Sequence, residues 1–307
     1  MGFNFLLILI ILLNIAIVGS HAALPAEIHW NSVFPHTPMP TALKNLLLPT
    51  TPGNTSPLVD TMMEDSGNDG DYGSGDPTMG FEPGNASPNN RTIYFFENDI
   101  HPGKKMKLDQ LTKAINEARF LSRQVADSMP FSRDEFPSIL EQFSLKPESA
   151  EAKAINRTIT NCERRTIRGE DMYCAKSMES FVELGVSKLG NKNIKVLSSE
   201  VEITDIGNSE FTIVDEGLEM VGEKEIVCHK EKYPYAVFLC HSLDKSAVYK
   251  VPLVGENGSK IKALAVCHRD TSAWNPMHMA FYILKVKPGE VPICHFLMRE
   301  DLVWIQN

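Results

Sequence analysis

The sequence predicts an α+β domain: N-terminal helices packed on a largely antiparallel β-sheet or small barrel that carries four Cys-His dipeptides. Three observations predict it. Between Leu108 and Leu189 apolar residues recur at three- and four-residue spacing, the period of a helix with one buried stripe. Beyond Asn193 they come in short runs separated by Gly207-Asn208, Gly255-Glu-Asn-Gly258 and Pro288-Gly289, the punctuation of a meander or small barrel. The helical stretches precede the strand-like ones without alternating with them, which points away from a parallel sheet.

Taken in order, Phe3 to Val18 is a nearly unbroken apolar run followed by the small residues Gly19, Ser20, Ala22 and Ala23. This run is short for a bilayer span and fits a cleaved signal peptide over residues 1–22, so the mature chain is expected to be secreted with no membrane attachment. Residues 23–48 hold Trp30, Val33 and Phe34, then Pro40 ahead of Leu43, Leu46 and Leu47, a short helix start. This segment reads either as an anchor for the main domain or as a mobile mature N-terminus. From residue 49 to 91 the chain is rich in Gly, Pro, Ser, Thr, Asn and acidic residues. It has too little apolar surface to offset its chain entropy, so it reads as a disordered acidic linker. Tyr72 is the only Tyr or Trp in it.

The folded domain is expected over residues 92–307. Ile93-Tyr-Phe-Phe96 has strand character and leads into a turn containing His101. Helices are expected through Leu108, Leu111, Ile115, Ala118 and Leu121; after a Ser132/Glu135 capping pair, with Pro137 in the first turn; over Ala150 to Ile159; and through Met178, Phe181, Val182, Val186 and Leu189, ending at Gly190. Strands are expected at residues 194–197, 201–204, 211–214, 236–239, 247–251, 263–266, 281–286 and 302–305.

With 307 residues and 43% hydrophobic side chains, the chain can bury a full core. A net charge of −9 argues against nucleic acid or an anionic membrane surface as partner. Secretion implies an oxidising compartment, so the six cysteines, Cys162, Cys174, Cys228, Cys240, Cys267 and Cys294, are expected to be bridged, with connectivity left open. Sequons at Asn54, Asn85, Asn90, Asn156 and Asn257 fit a glycoprotein.

The Cys-His dipeptides are Cys228-His229, Cys240-His241, Cys267-His268 and Cys294-His295. Adjacent residues of a strand face opposite ways, so sulfur and imidazole separate within each pair. Twenty-five residues separate His241 from Cys267, and again His268 from Cys294. Equal steps would bring the dipeptides back to one sheet edge, with four thiols on one face and four imidazoles on the other.

These dipeptides, with Phe95-Phe96, Cys162, Cys174 and Trp304, resemble the plant BURP domain over residues 93–307. Residues 30–48 resemble the short N-terminal stretch of the seed and dehydration-responsive members. The resemblance implies a secreted plant protein of the cell wall or storage vacuole, tied to seed development or stress response. Some members are copper-dependent peptide cyclases, which implies copper binding by His229, His241, His268 and His295. Imidazole suits copper, and copper is redox-active in an oxidising compartment. The structural alternative is a disulfide framework whose histidines bond to backbone, and His101 and His278 read as ordinary polar residues of a turn and a loop. No Trp or Tyr lies between Pro102 and Asn161 and no repeat lies before the domain, so a self-carried core peptide is missing except for Tyr72. The first reading is therefore a non-enzymatic secreted protein that meets cell-wall matrix components. The alternative is a copper-dependent cyclase acting on Tyr72 or on a peptide from another chain.

Overall fold

The structure, a computed structural model, describes residues 25–47, 92–108, 111, 118–190, 193–201 and 210–306. The expected signal peptide, the acidic linker with Tyr72, the sequons at Asn54, Asn85 and Asn90, and most of the helix expected around Leu111 lie outside these residues.

The chain divides into two units, residues 1–39 and 40–307. In the first, α1 (Pro25–Val33) ends in a turn where the Trp30 indole donates to the Thr37 carbonyl at 2.8 Å and packs at a tilt against Phe34, ring centroids 4.7 Å apart. The second opens with α2 (Thr41–Asn45) behind Pro40, a residue pre-set for a helix start, and buries Leu43 completely.

Further helices are α3 (Arg123–Ser128), α4 (Phe136–Gln142), α5 (Ala150–Glu163), α6 (Met178–Leu189) and α7 (Met279–Leu284). Their ends follow from local chemistry. The Ser149 and Ser177 hydroxyls accept from Ala152 N and Ser180 N at the start of α5 and α6. Gly190, at φ 80°, ends α6 in a conformation that costs a residue with a Cβ. Pro137 sits in the first turn of α4, where its missing N–H is not needed.

In chain order the strands are β1 (Tyr94–Phe96), β2 (Lys105–Lys107), β3 (Glu170–Ala175), β4 (Ile194–Leu197), β5 (Glu200–Val201), β6 (Glu210–Ile213), β7 (Glu219–Gly222), β8 (Glu225–Lys230), β9 (Phe238–Leu243), β10 (Ser246–Gly255), β11 (Lys260–His268), β12 (Ile293–Phe296) and β13 (Leu302–Gln306). They form two antiparallel sheets. The larger runs β1-β12-β11-β10-β6-β2, with β5 beside β11 and β7 beside β10; the smaller runs β3-β9-β8-β13-β4. Phe95, Met106, Phe211, Leu253 and Phe296 share one core of the larger sheet with Cys267 and Cys294. In a separate core, α4 and α5 pack Ile139, Ile155 and Ile159 on Tyr233 and Tyr235.

The α+β class holds, with two corrections. The helices are not confined to the N-terminal side: β3 lies between α5 and α6, and α7 falls among the strands. Residues 281–286, expected as a strand, instead belong largely to α7. A six-residue apolar run does not tell the two periods apart. The helix is chosen by its ends: His278 Nδ1 accepts from Ala280 N at 3.2 Å, and Lys285 closes it in the left-handed conformation at φ 57°.

One buried carboxyl sits uneasily in this framework. Glu225, on β8, is 4% exposed and its Oε2 has no hydrogen-bond partner. Burial pushes its carboxyl up from 4.5 to about 7. Between those values the unfolded chain releases a proton that the folded protein keeps, so rising pH destabilises the fold. Glu225→Gln is expected to be more stable than the parent by about 3 kcal/mol at pH 8, a gap that closes near pH 4 in urea denaturation. Equal gaps at both pH values would refute this.

Candidate functional site

The Cys-His dipeptides occupy both sheets, two in each. In the smaller sheet Cys228 on β8 lies opposite Cys240 on β9, and in the larger Cys267 on β11 lies opposite Cys294 on β12. Each opposed pair is a disulfide, and a third joins Cys162 to Cys174. The expectation of one face holding four thiols is therefore corrected. The sulfurs form two separate cross-strand bridges, because the pairing partners are 12 and 27 residues apart and the equal step from Cys240 to Cys267 crosses between sheets.

The histidines do converge. Each follows its cysteine and so points to the face opposite the disulfide. The two of a sheet sit diagonally about the bridge, His229 opposite Leu239 and His241 opposite Val227, with His268 opposite Ile293 and His295 opposite Val266 in the other sheet. Their Nε2 atoms meet at 3.3 Å for His229 and His241 and at 3.4 Å for His268 and His295. Across the sheets the His229 and His295 rings are 6.2 Å apart. All four are buried at 3 to 4% exposure.

Each Nδ1 is held from behind, and the partners fix the tautomers. The Phe296 carbonyl can only accept, so His295 carries its proton on Nδ1, at 3.3 Å. His268 then donates its Nε2–H to His295, and its Nδ1 accepts from the Ser246 hydroxyl at 3.0 Å. That pair is complete while neutral. Burial, with the neighbouring imidazoles, pushes His268 well below the usual range, and burial pushes His295 down to about 3.

The other pair is different. His229 Nδ1 faces Asp301 Oδ2 at 3.1 Å and His241 Nδ1 faces Glu170 Oε1 at 3.3 Å. Burial would raise the Glu170 carboxyl, but hydrogen bonds from Arg164 and His241 overcome it and hold it at about 2. With the Asp301 and Glu170 carboxyls at the two Nδ1 atoms, the Nε2 atoms of His229 and His241 face each other at 3.3 Å.

Among the described residues no three His, Cys, Asp or Glu side chains are already spaced about one metal position. The two pairs each have the spacing of two ligands. Two imidazole nitrogens at 2.0–2.1 Å on a tetrahedral ion lie about 3.3–3.4 Å apart, the separation seen in both. The donor set therefore fits a borderline cation such as copper or zinc.

Asn156 is exposed on α5 and Asn257 is exposed in the turn between β10 and β11. His101 lies in a turn, as expected. His278 is no ordinary loop residue: it is 3% exposed, caps α7, and packs edge-on to Trp274 and Tyr94, whose rings also touch His268 and His295 respectively.

The BURP domain profile matches residues 93–306. The chain belongs to the BURP-domain family. It is 44% identical over 218 residues to BURP domain protein RD22 of Arabidopsis thaliana, covering 70% of this chain and 56% of that protein. It is 40% identical over 221 residues to BURP domain-containing protein 3 of Oryza sativa subsp. japonica, covering 71% and 51%, so it spans about half the length of these two relatives. Against BURP domain-containing protein 5 of the same rice the identity is 36% over 304 residues, covering 94% and 89%.

Within this BURP domain, sequence reasoning named the four imidazoles and missed what holds them. Glu170 and His241 are 71 residues apart, and His229 and Asp301 are 72 apart. No local spacing links such partners; only strand pairing brings β3 to β9 and sets the loop before β13 behind β8.

Proposed function

We propose that this is a secreted plant BURP-domain protein of the cell wall or seed, active in development or stress response, whose four imidazoles hold copper as part of the fold and not as the centre of a peptide-processing enzyme. One observation carries the reading: His229, His241, His268 and His295 present paired Nε2 atoms at two-ligand spacing while all four are at most 4% exposed. Donors so placed bind and orient a cation and exclude water from it, and they leave little room for a polypeptide to approach. Copper, when bound there, would supply one-electron chemistry suited to an oxidising compartment. Three disulfides support an oxidising, extracellular setting.

The test is aerobic incubation of the purified protein with copper, followed by metal analysis and peptide masses after reduction and alkylation. The expected result is stoichiometric copper with every mass unchanged. Loss of two hydrogens from the Tyr72 peptide would replace this reading with autocatalytic cyclisation. Absence of retained copper would leave a purely disulfide-based framework.

A further inference from the structure

The third disulfide stands apart from the histidines, yet its loop reaches them. Cys162 lies in the last turn of α5 and Cys174 in β3, and the loop between them carries Arg164 and Glu170. Arg164 grips Glu170 with both guanidinium arms, Nη1 to Oε2 at 2.7 Å and Nη2 to Oε1 at 2.5 Å. Ile167 N donates to Oε2 at 3.1 Å, so the loop folds around this carboxylate. The Glu170 side chain is fully buried and the Arg164 side chain 11% exposed. The remaining direction of Oε1 is taken by His241 Nδ1.

Asp301 does the same for His229, itself held by Lys230 N at 3.2 Å and Met298 N at 2.9 Å. Among the described residues the second pair's direct partners are uncharged, the Ser246 hydroxyl and the Phe296 carbonyl, and the Glu225 carboxyl reaches His268 only through Ser246. An imidazole whose far nitrogen donates to an anion is the stronger metal ligand, and two buried carboxylates behind one pair place negative charge where a cation gains most from it.

We infer that the Cys162–Cys174 loop is a clasp that delivers Glu170 to His241, and that Glu170 and Asp301 act as positioning residues that make His229–His241 the half of the cluster dominating affinity for a divalent cation. This rests on the reading of the cluster as a metal site and adds an asymmetry that reading does not require.

The test uses the full disulfide-bonded chain and Zn(II), which is redox-silent, titrated calorimetrically against a competing chelator. Glu170→Gln and Asp301→Asn keep an acceptor of the same shape and lose the charge. Each is expected to weaken Zn(II) binding by roughly 10- to 100-fold. Ser246→Ala, which loosens the uncharged pair, is expected to cost less than either. With Cu(II) as a second probe, the copper–nitrogen hyperfine pattern should change in Glu170→Gln, an effect that general destabilisation would not produce. If Glu170→Gln fails to fold, as judged by its near-ultraviolet circular dichroism, Asp301→Asn carries the test alone. Affinity within threefold of wild type in the charge-removing variants, or a larger loss in Ser246→Ala, overturns the asymmetry while leaving the metal site standing. A wild-type chain that takes up no Zn(II) or Cu(II) overturns the metal site itself and the asymmetry with it.

Discussion

Replacing both Cys267 and Cys294 by alanine is expected to lower stability by about 3–4 kcal/mol and to weaken copper retention at the histidine cluster by at least tenfold. The stability estimate follows from the 27-residue separation that this disulfide closes in the unfolded chain. The lost sulfurs also leave space among Phe95, Met106, Phe211 and Phe296, which adds a cavity cost. The copper effect has a separate cause. His268 and His295 reach each other diagonally across β11 and β12, so their Nε2 contact at 3.4 Å depends on the register that the opposed cysteines pin between them. Urea denaturation and copper analysis after dialysis against a weak chelator read the two effects independently. Copper affinity within threefold of the parent, in a variant shown to be destabilised, would mean that strand pairing alone holds the imidazoles.

Gly185→Ala is expected to destabilise the domain although it adds a single methyl group. In most helices this substitution stabilises by roughly 1 kcal/mol, because alanine is the better helix former. Here the added Cβ would lie 2.7 Å from Cδ2 and Cε2 of the Trp304 indole. That ring is fully buried on β13 and packs on Phe181, ring centroids 5.1 Å apart, so it has nowhere to retreat without moving α6 off the smaller sheet. The expected outcome is a loss of about 1–3 kcal/mol, opposite in sign to the propensity effect. A thermal midpoint at or above that of the parent would show that the helix and the indole separate freely. Because β13 also pairs with β8, which carries His229, the same variant is expected to loosen the cluster.

Much of this architecture was legible because it rests on local chemistry. Gly190 ends α6 at a positive φ and Pro137 sits in the first turn of α4, both requirements that the backbone sets within a few residues. The alternation of neighbouring side chains in a strand separates each histidine from its cysteine whatever the strand pairs with. The Phe281 region was misread because its apolar run is too short to reveal a period, and its helix is set by the His278 cap. The reach of the third disulfide was not legible, since nothing in the spacing of Cys162 and Cys174 indicates that the loop between them faces a histidine.

By itself the sequence determined the α+β class, the membership of the cysteine and histidine sets, and the opposition of sulfur and imidazole in each dipeptide. These need only backbone periodicity and side-chain type. Tertiary structure alone decided that the dipeptides divide between two sheets, that their imidazoles meet as pairs, and that one pair is backed by Glu170 and Asp301 while the other is backed by uncharged groups. Contacts between residues some 70 positions apart are selected by how two sheets pack, and that is a property of the whole core that no short stretch of sequence contains.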